Sequence, residues 1–188
     1  MSGKTTMNDI KEFIRIVPDY PVSGIQFYDL NSLFSSPIFK KTILSLCDKV
    51  THFNTPTHIA GIESRGFVVG SAVAYELNLP FIMIRKEKAK YPGELLKESY
   101  DLEYGKDTLT LQKGLLGHTN RVILVDDLVA TAGSMLASKR LIEQTGAKVL
   151  GGCTLIDLAY IRKISLEPEF KLYSVYCEKG LENEIEIQ

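Results

Sequence analysis

The sequence predicts an α/β fold, a doubly wound domain in which helices flank a mainly parallel central sheet. Helical and extended patterns alternate along the chain, and the extended runs at 121–125 and 147–157 are apolar enough to be buried strands. Two acids, a loop of small residues and a helical pattern follow the first run, which is the order of a strand, a ligand-binding loop and a helix. Because ligands of such sheets bind outside the carboxyl ends of the strands, we expect the site there.

Two helices are predicted in the first third of the chain. Apolar residues recur at helical spacing from Asn8 to Val17, with Asn8 as a cap, and Pro18 ends this pattern. Residues 18–31 are expected to be irregular. A second helix should begin at Pro37 with Ser36 as its cap. Its predicted buried side consists of Ile38, Ile43, Leu44, Leu46, Cys47 and Val50.

The remaining predicted elements alternate between strand and helix. Strands are expected at 58–62, 81–85, 121–125, 147–157 and 171–176, and helices at 67–77 and 135–145. If the sheet is mainly parallel, the loops that follow Ile62, Arg85, Val125 and Asp157 should converge.

The composition fits one compact domain over residues 1–188, large enough to bury a proper core. A formal net charge of −1 excludes the strong field that recruits nucleic acid or an anionic membrane. No apolar run reaches the roughly 20 residues of a membrane span, and the first residues lack a signal-peptide core, so we expect a cytoplasmic protein. Cys47, Cys153 and Cys177 are expected to be reduced structural thiols, and the three histidines show no metal-ligand spacing.

The most informative stretch is the one that leaves the strand 121–125. Asp126 and Asp127 should stand where the strand emerges, suited to sugar hydroxyls or a hydrated magnesium ion. The loop that follows offers backbone N–H groups, two hydroxyls and a helix N-terminus to a phosphate. Its candidate residues are Ala130, Thr131, Ala132, Gly133 and Ser134.

Three other interpretations of the acid pair were weighed. An isolated Asp-Asp at a strand end is usually just solvated. A Walker B strand is nearly excluded because the chain contains no G-x-x-x-x-G-K-S/T. The acid pair of a receiver domain would be expected on the first strand. The phosphate-loop interpretation is favoured because acids, hydroxyls and helix start are continuous.

The run from Val125 to Ser134 resembles the signature of the type I phosphoribosyltransferases, which bind phosphoribosyl pyrophosphate (PRPP). Ala-Thr after the acids is similar to the adenine branch of that family. Two positions depart from the usual pattern: Ala132 stands where glycine is common, and Ser134 where threonine is common. If residue 132 needs a positive φ, the methyl group of alanine would lower the affinity slightly.

The resemblance implies a pyrophosphate-binding loop within Gly61-Ile-Glu-Ser-Arg-Gly-Phe67, although alone this seven-residue segment also fits a surface turn. A basic segment after the strand 81–85 would reach the same diphosphate, although a run of lysines is more often a solvated loop. The implied pyrophosphate residues are Glu63, Ser64, Arg65, Lys86 and Lys90, with Arg85 beside them in a catalytic role.

Residues 95–112 show period-2 alternation, which predicts a two-stranded excursion with a mobile tip. Similar segments in the family close over the reacting centre, so residues 86–112 are expected to form a flexible lid. Glu103 matches the family's proposed general acid/base toward the purine, and Tyr104 would close the site beside it.

The irregular stretch 18–29 resembles the hood that covers adenine in the family, within a hood segment of about residues 1–35. Phe27 would stack on the purine, and backbone groups near Gln26 would read its edge. Tyr28 replaces the arginine that is usual there. On local evidence, Phe27 fits a core anchor equally well.

The resemblance implies a magnesium-dependent homodimer that converts adenine and PRPP to AMP and pyrophosphate. Mg²⁺ would be held by PRPP and water near Asp126 and Asp127, with no direct protein ligand expected. A phosphoribosyltransferase for hypoxanthine or xanthine is the first alternative. A noncatalytic PRPP-sensing regulator is the second, although it would need a DNA-binding winged helix and a basic face.

Overall fold

The computed structural model describes residues 10–89, 91–101, 105–162 and 165–178. In chain order its main elements are β1 Arg15–Val17, β2 Phe27–Asp29, α1 Asn31–Phe34, α2 Ile38–Val50, β3 His58–Ile62, α3 Arg65–Glu76, β4 Phe81–Lys86, β5 Leu95–Asp101, β6 Lys106–Gln112, β7 Arg121–Val129, α4 Gly133–Glu143, β8 Lys148–Leu158 and β9 Lys171–Glu178. Short 3-10 turns lie at Glu87–Ala89 and Ala159–Ile161.

Within the described ranges, seven strands form the central sheet in the order β5-β6-β4-β3-β7-β8-β9. The four pairings from β4 to β9 are parallel. The hairpin β5–β6 joins the edge of β4 in antiparallel fashion. This arrangement confirms the predicted mainly parallel sheet, and the period-2 segment is indeed two-stranded.

Helices cover both faces of the sheet, as a doubly wound fold requires. Alternate residues of β7 belong to opposite cores: Ile123 and Val125 pack with α2 and α3, whereas Val122 and Leu124 pack with α4. Both cores are built mainly from fully buried aliphatic side chains. The central strand β7 is therefore enclosed on both sides, and its carboxyl end is fixed by the body of the protein.

The predicted helix from Asn8 to Val17 is wrong over most of its length: among the described residues only Ile10 and Lys11 are helical, and Asn8 lies outside the described residues. Residues 15–17 form β1, which pairs antiparallel with β2. The residue before a proline avoids the helical region, so Val17 before Pro18 favours an extended chain. The same pairing makes Phe27–Asp29 a strand within the stretch predicted to be irregular.

The second helix follows the prediction with two local differences. Its N-cap residue is Pro37, and the Ser36 hydroxyl donates instead to the carbonyl of Leu33, at the end of α1. Leu44, predicted to be buried, is 37% exposed. Leu44 lies at the margin of the apolar face of α2, and the other residues predicted to be buried form that face.

The largest difference concerns β7, which does not end at Val125 but continues to Val129. Its parallel pairing with β8 extends through Asp126 opposite Thr154 and Leu128 opposite Ile156. The two acids therefore lie inside the sheet and not at a solvated strand end. The partner strand β8 is buried along this stretch, so the ladder continues although it encloses two carboxyl groups.

Candidate active site

The loops that follow β3 and β4 meet, as the sequence predicts. A side-chain oxygen of Glu63, Oε2, accepts a hydrogen bond of 2.9 Å from the backbone N–H of Lys86. The same oxygen lies 3.4 Å from Nε of Arg85. Glu63 therefore joins the predicted pyrophosphate loop to the basic segment. The peptide bond between Glu63 and Ser64 is cis.

Helix α3 begins two residues before its predicted start, so Arg65 and Gly66 belong to its first turn. A Cβ atom at Gly66 would lie 2.8 Å from Oδ1 of Asp126 and 3.1 Å from the carbonyl oxygen of Val125. Only a glycine lets the helix start approach β7 this closely. The approach brings Arg65 next to the acid pair.

Arg65 is the residue that connects the parts of the site. Its Nε lies 2.9 Å from Oδ2 of Asp127, and one terminal nitrogen donates a 2.9 Å hydrogen bond to the carbonyl oxygen of Tyr28. The guanidinium carbon lies 5.3 Å from the centre of the Phe27 ring, a cation–π arrangement. The structure thus places this predicted pyrophosphate residue between the hood and the acids.

Asp126 and Asp127 are both buried, with exposed fractions of 9% and 4%. Burial, and next the charge of Asp127, raise the pKa of Asp126 well above its ordinary value. Burial also raises the pKa of Asp127, opposed chiefly by the guanidinium of Arg65. Oδ2 of Asp127 forms an ion pair with Arg65, but no well-aligned hydrogen bond reaches it from the described part of the chain. That oxygen is suited to accept a hydrogen bond from a bound ligand.

The phosphate loop turns into α4 with a left-handed residue. Ala132 has φ 68° and is the N-cap residue of a helix that starts at Gly133, two residues before its predicted start. The Gly133 N–H lies 3.5 Å from the hydroxyl oxygen of Thr131, and no side chain caps the helix. The first backbone N–H groups of α4 therefore remain suited to an anion.

The hairpin β5–β6 packs against this loop through Tyr100, which the sequence interpretation missed. A Cβ atom at Gly133 would lie 3.3 Å from the Tyr100 ring. Burial, and next the charge of Asp107, raise the pKa of Tyr100 to about 12. Asp107 also lies 3.4 Å from Nζ of Lys86. The alternating pattern of β5 could have indicated this contact, since it places Tyr100 on one defined face of the strand.

The base of the hairpin is tied to the body of the domain. Nε of Arg140, in α4, donates a 2.6 Å hydrogen bond to Glu98. Gln144 donates a second one, of 3.0 Å, to the other oxygen of Glu98. Closure of the segment as a lid stays a prediction. Lys90, Glu103 and Tyr104 lie outside the described residues.

A cavity of about 360 Å³ separates the hood from the carboxyl edge of the sheet. Its hood side contains Gln26 and Phe27, and its sheet side contains Ala130 and Thr131, with Arg65 between them. The rings of Tyr20 and Phe27 pack in a T-shaped arrangement, with ring centres 5.1 Å apart. Phe27 is thus partly exposed to the cavity and is not solely a core anchor.

A second cavity of about 380 Å³ opens at the opposite, amino-terminal edge of the sheet, beside His52, Lys148 and Lys171. It contains none of the residues that the sequence singles out. Nowhere in the described ranges do three metal-ligating side chains cluster. None of the helices described is long and apolar enough to cross a membrane.

Comparisons with known proteins identify the family of the chain. Residues 31–182 match the family model of the phosphoribosyl transferase domain. An adenine phosphoribosyltransferase of Methylibium petroleiphilum is 44% identical over 160 residues, which cover 82% of this chain and 80% of that protein.

Two solved structures extend the agreement to the fold. The adenine phosphoribosyltransferase of Rhodothermus marinus is 35% identical, with a TM-score of 0.84 over 91% of this chain and 97% of that one. The enzyme of Saccharomyces cerevisiae, complexed with an imino-altritol bisphosphate and adenine, is 32% identical, with a TM-score of 0.79 over 90% and 97% of the two chains.

Proposed function

The chain belongs to the phosphoribosyl transferase family, in its adenine phosphoribosyltransferase branch, and on that basis we propose that it transfers the ribose 5-phosphate group of PRPP to adenine. The products are AMP and pyrophosphate. The observation that supports the proposal is a single cavity lined by Phe27 on one side and by Thr131 on the other. Arg65 also lines this cavity and forms an ion pair with Asp127. An aromatic face, a phosphate loop and a buried carboxylate fit the three parts of the substrates.

The sugar phosphate is assigned to the end of β7 and the start of α4. The helix N-terminus and the hydroxyls of Thr131 and Ser134 bind the 5-phosphate, because unpaired N–H groups and the helix dipole favour an anion there. The ribose hydroxyls donate to Asp126 and Asp127. Support comes from the buried oxygen Oδ2 of Asp127, which pairs with the charge of Arg65 but accepts no well-aligned hydrogen bond from the described residues.

The diphosphate is assigned to the residues on the loops after β3 and β4. The guanidinium of Arg65 has five N–H donors, enough to serve Asp127, Tyr28 and a phosphate oxygen together. Glu63 holds the backbone of Lys86 at 2.9 Å, which keeps the basic segment beside this loop. The assigned residues are Glu63, Ser64, Arg65, Arg85, Lys86 and Lys90.

In the reaction, the bond between ribose C1 and the diphosphate oxygen breaks, and its electron pair leaves with pyrophosphate. The ribose acquires oxocarbenium-like charge, and adenine N9 attacks C1 from the opposite face, which inverts the anomeric centre. Glu103 is assigned to take the proton that N9 loses. The protein contributes chiefly position and electrostatics, because the substrates carry the reacting bonds.

Magnesium is included in the proposal because the donor set suits a hydrated, PRPP-bound cation. When bound, Mg²⁺ supplies neutralisation of the charge on the leaving diphosphate. Asp126 and Asp127 are the residues assigned to hold its water shell or the hydroxyls beside it. Their burial in a shared acidic pair favours a cationic ligand.

We also propose a cytoplasmic homodimer. Outward-facing apolar residues on α3 and β4 support the dimer: Val68, Tyr75 and Met83 are 46%, 88% and 40% exposed. Such side chains on adjacent elements are typical of a contact surface. The buried thiols of Cys47 and Cys153 fit a reducing compartment. Sedimentation of the wild-type protein and a Tyr75→Lys variant tests the dimer.

The test of the activity is AMP formation from PRPP, Mg²⁺ and adenine, with hypoxanthine, guanine and xanthine run in parallel. Turnover with adenine and not with the 6-oxopurines is the expected result. Turnover with a 6-oxopurine alone would keep the reaction and overturn the assignment of the base. Binding of PRPP without turnover of any base would favour a sensor instead. Omission of Mg²⁺ in the presence of a chelator should abolish turnover.

A further inference from the structure

The hood is joined to the far end of the sheet by a pair of tyrosines. The hydroxyl oxygens of Tyr28 and Tyr160 lie 3.1 Å apart, and either group can donate. Tyr28 belongs to β2, and Tyr160 lies in the 3-10 turn that follows β8. The two residues are 132 positions apart in the sequence.

Tyr28 itself lines the cavity assigned to the base, and Tyr160 lies next to residues that line it. Tyr28 directly follows Phe27, and Tyr160 lies between Leu158 and Ile161, two apolar residues of the cavity wall. The hydroxyl pair therefore connects opposite walls.

The tyrosine pair is anchored at both ends. The carbonyl oxygen of Tyr28 accepts a hydrogen bond of 2.9 Å from Arg65, which contacts Asp127. At the other end, Arg162 forms an ion pair with the buried carboxylate of Asp157, which closes the turn that carries Tyr160. A link between two fixed points restricts a cavity more than a link between mobile segments does.

Packing of the Tyr28 ring does not require its hydroxyl group. Tyr28 is only 6% exposed, and a phenylalanine would bury the same ring without a polar atom to satisfy. Burial raises the pKa of Tyr28, and the Tyr160 hydroxyl is the next cause. Tyr160 is 45% exposed, so the hydrogen bond between the two hydroxyls is part-buried. Its direction favours one docked position of the strand that bears Tyr28.

We propose that Tyr28 and Tyr160 are positioning residues that fix the width of the base cavity by holding the hood against the turn after β8. The inference rests on the proposed function, because it concerns how that site binds its base. Loss of either hydroxyl leaves the phosphate loop and the acid pair in place. The cost should therefore fall on binding of the base.

The test is steady-state kinetics of Tyr28→Phe, Tyr160→Phe and the double variant. A neutral hydrogen bond contributes on the order of 1 kcal/mol, so KM for adenine should rise about fivefold in Tyr28→Phe. The values of kcat and of KM for PRPP should stay within about twofold. The double variant should resemble either single variant, because both remove the same link.

Tyr173→Phe serves as the control, since Tyr173 packs against His52 and Phe53, away from the cavity. If wild type fails to convert adenine, the proposed function fails before the inference is reached. If wild type is active and KM for adenine is unchanged in both single variants, the inference is overturned. Additive effects in the double variant, or equal effects on KM for PRPP, would also contradict it.

Discussion

Nε of Arg65 lies 2.9 Å from Oδ2 of Asp127, while the same guanidinium donates to the carbonyl oxygen of Tyr28. One side chain therefore contacts both the hood, where the base is proposed to bind, and the acids, where the ribose is proposed to bind. Loss of its planar, forked geometry should affect both substrates.

Arg65→Lys should lower kcat/KM about tenfold to hundredfold, because hydrogen bonds that involve a charged group contribute about 1.5–3 kcal/mol. A lysine keeps the charge but cannot contact Asp127, Tyr28 and the Phe27 ring together. KM should rise for both adenine and PRPP in steady-state assays. Arg121→Lys is the matched control, since Arg121 donates to Thr55 at the opposite edge of the sheet. Equal effects of the two substitutions would contradict the assignment.

Asp126→Asn should stabilise the fold while reducing activity. The pKa of Asp126 is raised well above 3.8 by burial and then by Asp127, so its ionised form destabilises the folded state. The folded protein holds the proton of Asp126 more tightly than the unfolded chain does. The destabilisation caused by this carboxyl group therefore grows as pH rises from about 3.8 through the raised pKa of the folded protein.

Chemical denaturation near neutral pH should show a gain of about 0.5–2 kcal/mol for this variant, with a smaller gain at acidic pH. The value of kcat/KM should fall at least about tenfold, because an amide is a weaker partner for the ribose hydroxyls than a carboxylate. Asp48→Asn, at an exposed position of α2, should change neither quantity. A loss of stability in Asp126→Asn would show that the charge is needed for folding.

Ala132→Gly should leave the free energy of unfolding nearly unchanged. Relief of the left-handed backbone, with φ 68°, contributes about 1–2 kcal/mol. Loss of a buried methyl group costs about 0.8 kcal/mol, and the added freedom of the unfolded chain costs a similar amount. Ala137→Gly, inside α4 with no compensating strain, should cost more than about 1 kcal/mol. Thermal unfolding measures the stability of both variants. Equal losses of stability in Ala132→Gly and Ala137→Gly would show that Ala132 is unstrained.

Stability should also depend on pH through His58. Burial lowers the pKa of His58 below 6.5, so the unfolded chain binds this proton more readily than the folded protein does. The contribution of neutral His58 to stability is complete above about pH 6.5. It is lost as pH falls through the lower pKa that His58 has in the folded protein. The free energy of unfolding of wild type and of His58→Gln, measured by denaturation across this pH range, isolates the contribution of His58. Parallel pH profiles for the two proteins would exclude it.

The sequence predicted the central elements because their patterns are local. The strand His58–Ile62 is found within the predicted bounds, and α3 differs only at its ends. The strand Arg15–Val17 could not be predicted in this way, because its partner lies in Phe27–Asp29 and supplies the pairing. The continuation of β7 past Val125 depends likewise on the ladder with β8.

For the site, motifs identified the loops but not the contacts between them. Asp127 and Arg65 were assigned from separate stretches, and their proximity follows from the close approach that Gly66 permits. Tyr28 was noted only as a departure from the family pattern. Its contact with Tyr160 spans 132 residues, so no local pattern could reveal it.

The extension of β7 through Asp126 and Asp127 has an evolutionary consequence. Residues proposed to hold the sugar belong to an enclosed strand of the central sheet, so changes there alter stability and chemistry together. Residues that line the proposed base cavity, such as Phe27 and Ile161, belong to a two-stranded sheet and a 3-10 turn that lie outside the central sheet. Selection for another base could act on these peripheral segments while the sugar chemistry is inherited intact.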